Sequence, residues 1–388
     1  MSSIDELISE LATSGVPHLT LGDVARYSDT RVDAFELDET NFVGVDNLVA
    51  DKGGRVDASY PPNTARLTAY EPGDILIGNI RPYLKKVWRA TNAGGCSGDV
   101  LAIRILQEHR KSLDSGFLYY LLSSDRFFAY NMGHAKGARM PRGNKAAILD
   151  FQIPFPPLKI QREIVRILDQ FTELQAELDG ELEAELNARR SQYEYYRARL
   201  IDRASKDEIW RPLGELASVR TGQAPPHGVP ASSGDFAFVN AGTTESGRSP
   251  ESNTEADSVT IPSRGQGAVG IVGYQDAPFW CGPLCYRIRS NEERLSTRFL
   301  YYFLKSIQPS IRALQQTGGT PALNRKELIL VEVPLPSIEV QAHVVDVLDR
   351  FDALVDGLSA GLLAELTARR KQYEYYRNRL LTFKEPAA

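Results

Sequence analysis

At 388 residues the chain is too long for one ordinary hydrophobic core and long enough for two domains with connecting elements. Its 42% hydrophobic and 24% charged residues match soluble globular proteins, which excludes a largely disordered chain, and its apolar runs are far shorter than the roughly 20 residues of a membrane span. The formal net charge of -5 argues against a chain that is basic throughout, but the excess of acids lies in residues 1–15, 159–209 and 337–388.

The N-terminal residues predict a short helix and a cytoplasmic location. Ser3 and Glu6 have the spacing of a capping box that opens a helix over Ser3–Ser14. Acidic residues stand where a signal peptide needs basic ones. Elsewhere, three cysteines are too few for a disulfide framework, and the pair Cys281 and Cys285 has no nearby histidine to complete a zinc site. We therefore expect reduced thiols and no bound metal.

Residues 1–157 predict the N-terminal helix followed by a first globular α+β domain. Short runs of β-branched and aromatic residues broken by turn residues, such as Asp74–Ile80, indicate strands, and the run "FLYYLL" (117–122) indicates a helix. Tyr60–Asn63 ("YPPN") is interpreted as a turn.

Two clusters of basic residues in this domain are candidates for contact with nucleic acid. Neither cluster is interrupted by an acid, and glycine and proline keep the second one non-helical. A solvated loop without a ligand is the alternative for both. The first cluster comprises Arg81, Lys85, Lys86 and Arg89, and the second comprises Lys136, Arg139, Arg142 and Lys145.

The next segment, residues 158–209, predicts one long helix. Apolar residues from Ile164 to Leu178 recur at spacings of three and four, and leucines then follow at four-residue steps. A helix over Leu158–Ile201 would be roughly 66 Å long, and its narrow apolar stripe requires a partner helix. Its end carries more aromatic surface than a two-stranded seam can bury, so we predict a protein-docking surface there. That surface comprises Gln192, Tyr193, Tyr195, Tyr196 and Arg197.

Residues 210–336 predict a second globular domain of the same design. "LGELA" (213–217), "FLYYFL" (299–304) and "VEVPLPS" (331–337) match "LGDVA", "FLYYLL" and "FQIPFPP" of the first domain, and Gly267–Tyr274 is predicted to contain strand and turns. Polar side chains in three places could read bases. They are Arg220, Thr221 and Gln223; Arg264 with Gln266; and Thr320, Asn324 and Arg325 near Thr317.

Two pairs of residues in these domains have alternative interpretations. Asn324 aligns with Asn144 ahead of the strand that leads into the long helix, so both asparagines are equally well explained as holders of a turn or a cap. Phe279 and Trp280 could stack on an extruded base, but such residues more often lie in the core.

Residues 337–388 repeat the long helix at an offset of 180. "ELTARRKQYEYYRNRL" (365–380) aligns without a gap with "ELNARRSQYEYYRARL" (185–200), and the match extends back to the prolines that precede each helix. The second copy therefore predicts a second docking surface and supplies the first helix with an antiparallel coiled-coil partner. The surface comprises Gln372, Tyr373, Tyr375, Tyr376 and Arg377. Dimerisation between chains is the alternative use of these helices.

The chain resembles the specificity subunits of Type I restriction-modification systems over essentially its whole length. The resemblance rests on "PFPPLKIQREIVRIL" (154–168) and "PLPSIEVQAHVVDVL" (334–348), and on the tyrosine-arginine ends of both helices. The four-residue units "TEL-QAEL-DGEL-EAEL" (172–186) are similar to the tetrapeptide repeats of the IC-like branch. The second copy (352–366) keeps the leucines but not the glutamates.

The resemblance implies two target recognition domains that are separated by the long helices in a pseudo-twofold circular repeat. Each domain would read one half of a bipartite DNA target. Two methyltransferase subunits would dock on the helices, and restriction subunits would join the complex. The chain would be non-catalytic and bind no cofactor, while S-adenosylmethionine, ATP and Mg would be held by the partner subunits. The sequence contains no phosphate-binding loop and no methyltransferase motif. A coiled-coil adaptor that never touches DNA is the alternative function, and a self-sufficient nuclease or methylase is disfavoured.

Overall fold

The computed structural model describes residues 15–225, 234–242, 245–265, 267–316 and 319–386, apart from the side chains of residues 356, 358 and 359. The predicted N-terminal helix, Gln266 and Thr317 lie outside this part of the chain. The described residues divide into two compact units. Unit 1 takes its residues from 1–179 and 365–388, and unit 2 comprises 180–364. No described helix is both long and apolar enough to cross a membrane.

Unit 1 contains two four-stranded sheets, with strand orders β2-β9-β6-β7 and β3-β5-β8-β4, and a separate pair β1-β10. Its strands are β1 (His18–Thr20), β2 (Ala25–Tyr27), β3 (Arg31–Asp33), β4 (Phe42–Val43), β5 (Arg66–Tyr70), β6 (Ile75–Gly78), β7 (Val87–Arg89), β8 (Gly94–Cys96), β9 (Val100–Ile105) and β10 (Gln152–Pro154). Its helices are α1 (Leu21–Val24), α2 (Ser115–Leu122), α3 (Asp125–Gly133), α4 (Lys145–Leu149) and the first part of α5 (Leu158–Ala204).

The core of unit 1 forms where apolar strands meet the "FLYYLL" helix. Every residue of β6 is buried, as expected for a strand covered on both faces. Helix α2 begins after Asp114, whose carboxylate accepts hydrogen bonds from the N–H groups of Gly116 and Phe117. The predicted strand and helix are both confirmed, and a second short helix, α3, follows the predicted one.

Unit 2 repeats this plan, with sheets β12-β18-β15-β16 and β14-β13-β17 and the pairs β11-β21 and β19-β20. Its strands are β11 (Trp210–Pro212), β12 (Ala217–Thr221), β13 (Phe236–Val239), β14 (Arg248–Ser249), β15 (Ser258–Pro262), β16 (Gly273–Gln275), β17 (Phe279–Cys281), β18 (Cys285–Ser290), β19 (Gln315–Gln316), β20 (Ala322–Leu323) and β21 (Glu332–Pro334). Its helices are α6 (Leu213–Leu216), α7 (Thr297–Ser306), α8 (Gln308–Ala313), α9 (Arg325–Leu328) and the first part of α10 (Ile338–Leu380).

The region of unit 2 predicted to contain strand and turns consists mostly of turns. Over Gly267–Tyr274, only the last two residues belong to a strand, β16. Gly267 and Gly270 have φ angles of 89° and 76°, which turn the chain. Val269 and Val272 are buried in the core, so an apolar run bends into the core there instead of extending along a sheet.

The two long helices are confirmed, with 47 residues in α5 and 43 in α10. Within unit 1 they run antiparallel, because Thr172 contacts Tyr373 while Asp179, further along α5, pairs with Arg370. The two helices are also antiparallel within unit 2. Tyr193 packs on Phe351, and Ile201, further along α5, lies in the same core as Val344. The antiparallel direction predicted for the two helices is confirmed within each unit. The domain boundaries at 157, 209 and 336 stay a prediction.

A buried glutamine joins each long helix to the domain at its start. The Gln161 side chain is fully buried; it accepts a hydrogen bond from the N–H of Asp114 (2.9 Å) and donates to the carbonyls of Ser112 (2.9 Å) and Pro156 (2.8 Å). Its counterpart Gln341 accepts from the N–H of Ser296 (2.9 Å) and donates to the carbonyls of Arg294 (2.7 Å) and Pro336 (2.8 Å). In both units, the N–H belongs to the residue that caps the "LYY" helix.

The circular repeat is visible in how each core is completed. Leu381, just after α10, lies in the core of unit 1, as Ile201 near the end of α5 lies in the core of unit 2. The N–H of Val16 donates to the carbonyl of Lys384 at 2.9 Å. Gly15 has a φ of 92°, and a Cβ there would stand 2.6 Å from Pro386, so glycine is required.

Candidate nucleic-acid interface

The two basic clusters predicted in the first domain lie side by side in unit 1. The N–H of Arg81 donates to the carbonyl of Pro141 (2.7 Å), and that of Gly143 donates to the carbonyl of Asn79 (3.0 Å). Lys136 and Arg142 exchange backbone hydrogen bonds of 2.9 Å, which closes the second cluster into a hairpin-like loop. Segments 79–86 and 136–145, far apart in sequence, therefore form one basic surface, which we call the unit 1 basic surface.

Several cations of this surface are already paired, because acids distant in sequence are near in space. Arg142 forms an ion pair with Asp99 at 3.0 Å, and Lys85 forms one with Asp125 at 2.8 Å. Lys86 donates to the carbonyl of Val45. The two segments contain no acid along the chain, but acids from other segments lie beside them in the fold, so only some of their charges are available to a ligand. Arg81, Lys136, Arg139 and Lys145 are exposed, and no described residue pairs with their side chains.

A strained turn lies in the middle of the unit 1 basic surface. The 3-10 turn Pro82–Leu84 is flanked by Arg81 and Lys85, whose φ angles are 52° and 50°. The neighbouring Asp51 and Lys52 have φ angles of 51° and 66°. Left-handed geometry costs a non-glycine residue about 1–2 kcal/mol, so four such residues in one place need strong local restraints. Sequence reasoning missed Lys52 and Tyr83, since no local pattern distinguishes them.

In unit 2 the three predicted groups also come together. The loop at Arg264 bridges to Ala322, and the N–H of Leu323 donates to the carbonyl of Ser263 at 2.8 Å. The Nε of Arg325 donates to the carbonyl of Val219 at 2.7 Å, beside the predicted residue Arg220. Arg264, Thr320, Asn324 and Arg325 are all exposed. The bridge repeats that between Ile80 and Arg142 in unit 1: positions 142 and 322 differ by the repeat offset of 180, and Ile80 and Arg264 each lie two residues after the end of β6 or β15.

Both aligned asparagines cap helices, as the alternative interpretation held. The side-chain oxygen of Asn144 accepts from the N–H groups of Ala146 and Ala147 at the start of α4, and that of Asn324 accepts from the N–H of Lys326 at the start of α9. The exposed side chain of Asn324 retains its amide N–H groups for another partner. The cap explains why an asparagine stands at both positions.

A row of arginines beside Arg220 was not predicted. Arg220 faces Arg287 across β12 and β18, and Ser218 faces Arg289. These side chains line a depression of about 380 Å³ with Asn253 and Glu255. Alternate residues of a strand lie on the same face, so Arg287 and Arg289 share one face of β18. This alternation in the sequence could have predicted the pair. Arg289 is paired with Glu255, so this row is partly neutralised.

Two aromatic residues and one predicted polar residue of unit 2 are held by the core. Phe279 and Trp280 are buried, which confirms the core interpretation. The indole N–H of Trp280 donates to the carbonyl of Gln223 at 2.9 Å, while the N–H of Gln223 donates to the carbonyl of Cys281. The backbone of Gln223 is therefore fixed and its side chain is exposed next to the exposed Thr221.

The structure corrects two members of the predicted docking surfaces. Arg197 and Arg377 are buried, because each guanidinium lies over the ring of a tyrosine on its own helix, Tyr193 (5.1 Å) or Tyr373 (5.9 Å), and Arg377 also pairs with Glu374. They fix neighbouring side chains and are absent from the free surface.

The exposed remainder of each docking surface consists of glutamine and tyrosine. Gln192, Tyr195 and Tyr196 are exposed in unit 2, and Gln372 and Tyr375 in unit 1. Tyr196 stacks on Phe351, with ring centres 6.3 Å apart, and Tyr376 stacks on Phe171 at 6.5 Å. In unit 1 these helices border an apolar groove of about 520 Å³ whose lining includes Phe171, Leu174, Leu178, Gln372, Tyr373 and Tyr376.

The described residues offer no cluster of three or more metal-ligating side chains. The thiols of Cys96, Cys281 and Cys285 are buried and unbridged. Burial raises the pKa of Cys96 to about 12, which keeps this thiol protonated.

Comparison with known proteins agrees with the resemblance. Residues 93–188 and 209–368 match the family model described as the Type I restriction modification DNA specificity domain. The chain is 32% identical over 253 residues to the Type I restriction enzyme EcoR124I/EcoR124II specificity subunit of Escherichia coli, in a match that covers 60% of this chain and 62% of that protein. It is 31% identical over 295 residues to a putative type I restriction enzyme specificity subunit of Haemophilus influenzae, covering 71% of this chain and 74% of that protein.

Solved structures show the same fold. A chain from a study titled "Structural basis underlying complex assembly and conformational transition of the type I R-M system" superimposes with a TM-score of 0.75 at 21% identity, covering 95% of this chain and 97% of that chain. The HsdS subunit from Thermoanaerobacter tengcongensis gives a TM-score of 0.54 at 21% identity, with 96% and 97% covered. The IC-like branch stays a prediction. Since the family model matches more than half of the sequence, the chain belongs to the family of Type I restriction-modification DNA specificity subunits.

Proposed function

We propose that this chain is a non-catalytic, sequence-specific DNA-binding subunit, in which each unit reads one half of a bipartite target. The observation that carries the proposal is the recurrence of one loop arrangement in both units. In unit 1 the bridge between Ile80 and Arg142 joins two basic segments, and in unit 2 the bridge between Arg264 and Ala322 joins two polar segments. Arginine, lysine and amide side chains on such loops can contact phosphates and base edges.

We further propose that the exposed tyrosines and glutamines near the ends of the long helices dock two methyltransferase subunits, with restriction subunits joining the complex. Tyrosine is enriched at protein interfaces because its ring is apolar and its hydroxyl group is polar. The groove beside Phe171 and Tyr376 offers apolar surface for such a partner. S-adenosylmethionine, ATP and Mg would then be held by the partner subunits.

Methylation mapping tests this function. The chain is produced with its methyltransferase subunits, and methylated positions are mapped on a library of random duplexes. We expect a bipartite consensus that disappears when this chain is withheld. Binding should also weaken with salt, with a log–log slope of about -0.9 per neutralised phosphate. Binding of the methyltransferase subunits without any salt-dependent, sequence-selective DNA binding would instead favour the coiled-coil adaptor.

A further inference from the structure

The strained turn of unit 1 is held by backbone hydrogen bonds to two other segments of the chain. The N–H of Asp51 donates to the carbonyl of Leu84 (2.9 Å), and that of Lys52 donates to the carbonyl of Lys85 (3.0 Å). The N–H of Arg81 is tied to the carbonyl of Pro141 in the second basic segment. These bonds hold residues 81–85 in a conformation that the isolated segment would leave.

Asp125 is the charged anchor of this turn. Its carboxylate accepts hydrogen bonds from the ammonium groups of Lys85 (2.8 Å) and Lys52 (3.1 Å), and Lys52 also pairs with Glu374 on α10 at 3.2 Å. Partial burial opposes ionisation of Asp125, but the two lysines outweigh it and bring its pKa to about 2. The anchor is therefore ionised at neutral pH, and it links the turn to the long helix within unit 1.

The same anchor determines which side chains the turn leaves available. Lys52 and Lys85 are neutralised by Asp125 and Glu374. Arg81 is exposed, and none of the described residues pairs with its guanidinium. Tyr83 is 49% exposed at the middle of the turn. A rigid turn thus presents one free guanidinium and one aromatic ring, and strain of this kind concentrates at functional sites.

We propose that the turn Arg81–Lys85 is the base-reading element of unit 1, in which Arg81 contacts a base edge, Tyr83 packs against the adjoining base or sugar, and Asp125 is a positioning residue. This inference rests on the proposed function. An arginine fork matches the two acceptors of guanine in the major groove, and a fixed backbone reduces the freedom that is lost on binding. The predicted lysines at 85 and 86 are then supports of the turn and do not contact bases.

Methylation mapping with a random duplex library tests the reading residues in the complete complex. Arg81→Gln and Tyr83→Ala should each relax the base preference at one or two neighbouring positions of one half-target, with a loss of discrimination on the order of tenfold to a hundredfold. The other half-target should stay unchanged, which shows that the variant chain is folded and assembled. Arg81→Lys keeps the charge but lacks the fork, so it should lose the same discrimination. Arg110→Gln is the matched control, since it removes an exposed charge of unit 1 that pairs with Glu71 away from the turn.

The positioning role of Asp125 has its own readout. Asp125→Asn should lower discrimination at the same positions as Arg81→Gln, while the salt dependence of binding should not become weaker, because no phosphate contact is removed and Lys52 and Lys85 are released from the carboxylate. Asp125→Glu should restore most of the discrimination. A loss that is spread evenly over all positions of this half-target, or over both half-targets, would mean that Asp125 only stabilises the fold, and it would overturn this role. A wild-type complex without a bipartite consensus would refute the proposed function. A wild-type consensus that Arg81→Gln, Arg81→Lys and Tyr83→Ala leave unchanged would overturn this inference alone.

Discussion

Replacing Gln161 with leucine tests the joint between long helix and domain. The change keeps the side-chain size but removes three hydrogen bonds at a fully buried position, to the N–H of Asp114 and the carbonyls of Ser112 and Pro156. A buried polar group left without a partner costs about 1–3 kcal/mol, and carbonyls tolerate this better than N–H groups. We therefore expect unit 1 to lose about 3–5 kcal/mol of unfolding free energy. This loss is large against the roughly 5–15 kcal/mol of a whole domain.

Urea unfolding followed by circular dichroism measures the loss, and hydrogen exchange of α2 measures it locally. The amide groups of α2 should exchange faster, because the lost N–H contact lies at the cap of this helix. Gln341→Leu is the matched variant in unit 2, and it should cost the same within about 1 kcal/mol, since it loses the same three hydrogen bonds at a buried position. Gln170→Leu, at an exposed position of the same helix, is the control and should change stability by less than about 0.5 kcal/mol. A loss below about 1 kcal/mol for Gln161→Leu would refute the reasoning.

Three further predictions concern DNA contact, target spacing and pH. Arg139→Glu should weaken duplex binding by the assembled complex more than Arg142→Glu does, because Asp99 already neutralises Arg142. Methyltransferase association should stay intact in both variants. Equal losses of duplex affinity in a salt titration would contradict this prediction. Insertion of "QAEL" after Leu178 should lengthen α5 by about 6 Å and the spacer between the half-targets by one or two base pairs; methylation mapping that returns the original spacing or new half-targets would refute it. Ionised Asp125 should stabilise unit 1 fully above about pH 4, and this contribution should fade as the pH falls towards 2; acid unfolding of Asp125→Asn should lack that component, and identical acid curves would contradict the ion-pair interpretation.

The long helices could be predicted from sequence because their signal is repeated. The gapless match at offset 180 and the spacings of three and four fixed the helix start at Leu158 and its end to within a few residues of Ala204. The circular order followed as well, and the bond between Val16 and Lys384 agrees with it. The exact bounds of the strands were harder to predict, because three glycines with positive φ over Gly265–Gly270 turn the chain before β16 begins.

The candidate site was predictable in composition but not in charge state. The absence of acids along the sequence located both basic segments. Only folding brings Asp99 next to Arg142 and Asp125 next to Lys85. The left-handed geometry of Lys52 and Arg81 depends on contacts between segments that are distant in sequence, so no local pattern encodes it. The spacing of Arg377 to Tyr373 is visible in the sequence, but burial of Arg377 was missed because its contact with Asp125 arises only on folding.

The segment after α10 packs into the core of unit 1. The packed contacts therefore do not depend on which half of the sequence comes first in the gene. Each core is completed by a helix end that arrives from the other half of the sequence, Leu381 in one case and Ile201 in the other. A gene rearranged to begin near Lys206, with residues 386 and 15 joined by a short linker, would encode the same set of packed contacts, because the backbone at Val16 and Lys384 is already hydrogen-bonded. We therefore expect a rearrangement of this gene at these two points to leave both hydrophobic cores intact.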